Sequence, residues 1–74
     1  MNTQRRKRVS QNITMLHEAH DRLATILEEQ RANLSATPEH EKDLIEALEE
    51  IVENLEETVS SIDDALSTLE GSDF

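Results

Sequence analysis

The sequence predicts an all-α fold: an antiparallel two-helix hairpin of coiled-coil type that dimerises into a four-helix bundle. Three observations predict it. The 74 residues contain one glycine, one proline and no cysteine, a composition that favours helix. Apolar residues recur in alternating steps of four and three through both halves of the chain. The lone proline stands at the midpoint, in the stretch LSATPEHE at residues 34–41.

The spacing is the strongest of these signals. In the first half it runs Val9, Ile13, Leu16, His20, Leu23, Leu27, Gln30 and Leu34. In the second it runs Ile45, Leu48, Val52, Leu55, Val59, Ile62, Leu66 and Leu69. A repeat of about 3.5 residues held this long is a helical seam; a strand would alternate every second residue.

The elements follow in order. Residues 1–8 form a basic segment, expected to be frayed. Residues 9–34 form the first helix and 35–37 the turn. Pro38 suits the first turn of a helix, where an N–H is not needed. Thr37 before it can cap through its hydroxyl. Glu39 and Glu41 place negative charge at the positive end of the helix dipole. The second helix is therefore expected over 38–70, with a tail at 71–74 that opens on Gly71.

Self-association is expected because the apolar faces are wide. Leu44, Ile51, Thr58 and Ala65 add a stripe beside the second seam, and Ala19, Ala24 and Ile26 widen the first. A single partner helix leaves part of such a face wet, and a chain this short buries little by itself. The residues assigned to the oligomer seam are Leu16, His20, Leu23 and Leu27 with Leu44, Leu48, Ile51, Leu55, Ile62 and Leu66.

Several functional classes find no support. Without cysteine there is no disulfide, thiolate metal site or cysteine nucleophile. No Gly-rich phosphate loop and no Ser-His-acid set is present, so neither enzyme activity nor a cofactor is expected. No apolar run reaches the roughly 18 residues of a membrane span, and no signal-peptide core follows the basic start. A cytoplasmic location is expected. The segment HEAHD at 17–21 supplies the only weak metal candidates, His17, His20 and Asp21. The bland reading is preferred there, because a polar residue on a seam more often sets register. A buried His20 would titrate near neutral pH and loosen the assembly on protonation.

Charge divides the chain. Residues 1–37 carry six Lys/Arg and four Asp/Glu, net +2; residues 38–74 carry one Lys and thirteen Asp/Glu, net −12; the sum is −10. Glu46, Glu49, Glu50, Glu53, Glu56 and Glu57 crowd about 18 Å of helix. Such a ridge is either a solvated outer face or a binding surface for a basic protein, even a DNA mimic. The run Arg5-Arg6-Lys7-Arg8 is either matched to Asp63, Asp64 and Glu70 across the hairpin or a nucleic-acid contact. No aromatic is interleaved for base stacking.

ILEEQRANL at 26–34, PEHE at 38–41 and IEALEEIVENLEETVSSIDDALSTLE at 45–70 together resemble small acidic helical-hairpin proteins of phages and prophages. The resemblance covers about residues 16–70 and implies a viral or mobile-element accessory protein in the host cytoplasm. It transfers no functional residue. The layout is also similar to that of Rop-type nucleic-acid modulators, an analogy of architecture only. The expected function is a non-enzymatic protein-interaction module binding a basic host surface. The alternatives are a Rop-like modulator using residues 5–8 and a structural oligomerisation scaffold.

Overall fold

A computed structural model describes residues 2–74 as two long helices, α1 over Asn2–Ala36 and α2 over Lys42–Glu70, packed antiparallel. The molecule measures 61 × 15 × 13 Å, the shape of a hairpin two helices wide.

Both seams meet between the helices. All sixteen seam positions are buried or half-buried, whereas the positions between them, apart from Ala19 and Ala24, are exposed. The deepest are Leu27, Leu48, Val52 and Leu66, each below 10% exposed. Gln30 takes its place in the row, half-buried like its apolar neighbours. The 3.5-residue repeat thus serves first to zip the chain onto itself.

The turn differs from expectation, and proline explains the difference. Pro38 has no N–H to continue the α1 ladder, and it disfavours helical geometry in the residue before it. It therefore ends α1 at Ala36. Thr37 closes that end: its N–H donates to Leu34 O (3.2 Å) and its hydroxyl to Asn33 O (2.7 Å). It does not cap α2. Pro38–Glu41 form a turn in which Glu41 N–H donates to Pro38 O (3.0 Å). α2 begins only at Lys42, with Glu41 at its N-cap making no side-chain cap bond. The connection is thus residues 37–41, later than the expected 35–37.

That shift moves the register. Residues 5–6 meet residues 73–74 and not the expected Asp63, Asp64 and Glu70. The N-terminal segment is also helical: α1 starts at Asn2, well before Val9, so the expected fraying is not seen. Phe74 borders the same shallow groove as Val9, Ile13 and Leu69, and so gives the first turns of α1 something to pack on. Gly71 follows α2 with φ −84° and ψ −5°, an ordinary right-handed conformation.

Candidate functional site

Two sides of the hairpin differ in chemistry, and helical phasing separates them. Heptad positions are assigned from the seams. In α2, Ile45, Val52, Val59 and Leu66 are a; Leu48, Leu55, Ile62 and Leu69 are d. In α1, Ile13, His20, Leu27 and Leu34 are a; Val9, Leu16, Leu23 and Gln30 are d. In an antiparallel pair the two e rows border one side of the seam and the two g rows the other.

The e side is polar and closed by ion pairs. Arg31 at e reaches Glu56 at e (3.4 Å) and also Glu28 one turn back (2.8 Å). His17 at e contacts Glu70 at e. His20 at a reaches sideways to Asp63 at e, with Nε2 2.8 Å from Oδ1, and its Nδ1 lies 3.2 Å from Asp21 Oδ1. The Asp63 contact is close but lacks hydrogen-bond alignment, and it is an ion pair when the imidazole is protonated.

His20 is half-buried, its side chain 21% exposed. The carboxylate of Asp21, and after it that of Asp63, raise its pKa above the ordinary imidazole value of 6.5, outweighing the opposing effect of burial. Within the hairpin the charged imidazole faces two acids, so its protonation favours the contact between α1 and α2 there. The metal candidates separate in the same region. His17 turns to Glu70, while His20 and Asp21 turn to each other, and no cluster of three or more metal-ligating side chains occurs among the described residues.

The carboxylate ridge stands where the sequence placed it. Glu46, Glu49, Glu50, Glu53, Glu56 and Glu57 are all exposed. Of these, only Glu56 forms an ion pair among the described residues. Phasing adds what a list of charges does not show. Every Asp and Glu of α2 falls at b, e or f, and none at c or g. The c row reads Ala47, Asn54, Ser61, Thr68 and the g row Leu44, Ile51, Thr58, Ala65.

The g side, uncharged on α2, collects the exposed apolar groups. Met15 (63%), Ile26 (42%), Leu44 (47%) and Ile51 (43%) are the large hydrophobic side chains left open to solvent. Ile26, Leu44 and Ile51 are at g and Met15 at the adjoining c position. Leu44 and Ile51 therefore stand outside the intrachain seam, whereas Leu16, His20, Leu23, Leu27, Leu48, Leu55, Ile62 and Leu66 line it.

The basic run is partly engaged. Arg5 donates from Nε and Nη2 to the main-chain oxygen of Phe74 (3.2 and 3.0 Å) and from Nη2 to Asn2 Oδ1 (2.8 Å). Arg6 pairs with Asp73 (3.4 Å). The matching acids are thus not the expected three: Asp63 and Glu70 face histidines instead. Consecutive helical residues are about 100° apart, so Arg5, Arg6, Lys7 and Arg8 fan around α1 and present no single basic stripe.

The described helices include none long and apolar enough to cross a membrane. Comparison with protein-family models, curated proteins and solved structures yields no match, so the hairpin and its two unlike sides are what bear on function.

Proposed function

We propose that this chain is a non-enzymatic protein-interaction module that presents the acidic back of α2 to a basic protein surface. The observation that supports it is the sorting of the α2 carboxylates. They are confined to b, e and f, exposed, and mostly without a cation inside the chain. Like charges at 46/50, 49/53 and 53/57 each cost the helix about 0.2–0.5 kcal/mol. A basic partner would relieve that repulsion and be steered to the ridge at long range. In this reading, which draws on the resemblance to phage hairpin proteins, the partner is a host protein met in the cytoplasm. The Rop-like alternative is weaker, because the basic residues diverge around α1 and two of them already hold the C-terminal segment.

The test compares wild type with Glu46→Lys/Glu49→Lys/Glu53→Lys as bait in native lysate over a salt series. A partner that is basic, salt-released and lost from the variant supports the ridge. Recovery of the same proteins by both baits removes it. Salt-sensitive binding of purified protein to duplex RNA or DNA, lost on changing residues 5–8 to Ala, would instead favour the nucleic-acid reading.

A further inference from the structure

We propose that a second copy of this chain covers the c/g side, which is uncharged on α2, with α1 of each copy against α2 of the other and the two hairpins pointing in opposite directions. Surface area gives the first reason. The chain exposes 5766 Å². A compact 8.4-kDa monomer would expose roughly 4,600 Å². The excess, roughly 1,200 Å², exceeds the roughly 800 Å² that one partner contributes to a stable interface. Ile26 and Ile51, on the g rows of the two helices, are the exposed isoleucines of this side. Ala19, Ala47 and Ala65 keep the surface around them low enough for another helix to approach.

Charge identifies the occupant. With a net charge of −10, two copies repel on almost any contact. The c/g side of α2 is where a copy can approach without setting carboxylate on carboxylate. Charge also fixes the pairing. The f row of α2 flanks this side and carries Glu50, Glu57 and Asp64. Packing α2 on its own copy would oppose those rows to each other. Packing α1 there brings in Arg8 and Arg22 of its c row, neither of which forms an ion pair among the described residues. Both spans, Arg8 to Arg22 and Glu50 to Asp64, are fourteen residues.

Opposed hairpins align these spans. α1 then runs parallel to the partner copy's α2, with the turn of one copy beside the chain ends of the other. Arg8 falls beside the Asp43–Glu50 stretch and Arg22 beside Glu57 and Asp64. Glu29, the acid of the c row, falls near Thr68. Hairpins pointing the same way would gather both basic runs at one end.

The two proposals share the f row, but the ridge test alters only b and e positions, and Ile51→Glu and Arg8→Glu/Arg22→Glu leave the ridge intact, so their failures are distinguishable. Sedimentation equilibrium at about 5–200 µM is the experiment, with helicity followed by circular dichroism. Wild type should fit a dimer. Ile51→Glu should weaken association by about a hundredfold. Arg8→Glu/Arg22→Glu alters exposed positions that the fold does not use, and should weaken it by about tenfold. Glu50→Arg/Asp64→Arg should do likewise, and the two charge variants mixed should recover a heterodimer near wild-type affinity. A wild-type monomer at 200 µM overturns the proposal. Undiminished self-association of Arg8→Glu/Arg22→Glu overturns the placing of α1 on α2.

Discussion

His20 occupies an a position where most of its neighbours are aliphatic, and its surroundings decide what its proton does. Asp21 and Asp63 raise its pKa. A group whose folded pKa lies above its unfolded value adds stability that is complete below the unfolded value, here about 6.5, and lost as pH rises through the folded one. Thermal melts should therefore show a higher midpoint at pH 6 than at pH 8. The difference should shrink in His20→Gln; an unchanged difference would mean that another group is responsible. Leu66 sets a second test at this scale. It is 5% exposed, and Leu66→Ala should cost about 2–5 kcal/mol by urea titration, more than many domains this small can spare. Individual residues were mostly legible from spacing alone. His20 and Gln30 were placed on the seam although neither is apolar. The partners of His20 were not, because Asp63 comes from the other helix and its level depends on where the turn falls.

At the scale of elements, α2 holds its shape against its own charge. Seam packing outweighs the like-charge pairs, and Lys42 is the only cation in the helix. Glu53 belongs to two of those pairs, 49/53 and 53/57. Glu53→Gln should stabilise the hairpin by about 0.4–1 kcal/mol in low salt, and the gain should fade near 1 M salt, where screening acts within about 3 Å. A destabilised variant would show that Glu53 has an attractive contact instead. Helix identity and pairing were readable from the sequence; the ends were not. A proline in the first turn of a helix and a proline that stops the preceding one look alike locally. Here the second role prevails, since Thr37 bonds backwards to Asn33 and Leu34. The start of α1 was hidden for another reason. The a position before Val9 is Arg6, so the apolar row gives no sign of helix there, and the ion pair of Arg6 with Asp73 lies across the full length of the chain.

The whole molecule is an elongated hairpin whose two flanks differ in chemistry. Its radius of gyration, 17.1 Å, is well above the roughly 11 Å of a compact domain of this length. A width of two helices leaves each helix with one broad face turned to solvent. The wide apolar stripe of Leu44, Ile51, Thr58 and Ala65 was legible as a surplus. Its segregation from every carboxylate of α2 follows from the same seam spacing, and the structure adds that Leu44 and Ile51 on it are exposed. The function proposed for the ridge rests on chemistry outside the chain, which no internal contact reveals.

The absence of cysteine allows a direct reading of this two-sidedness. Ala65 at g and Ser60 at b are both exposed in the single hairpin, and each can be replaced by cysteine with little change in size. Thiol-labelling rates of Ala65→Cys and Ser60→Cys would be measured from about 1 to 200 µM protein. The expected result is that Ala65→Cys slows by tenfold or more as concentration rises while Ser60→Cys stays fast. Equal, concentration-independent rates at the two positions would contradict the division of the hairpin into an associating side and a displayed one.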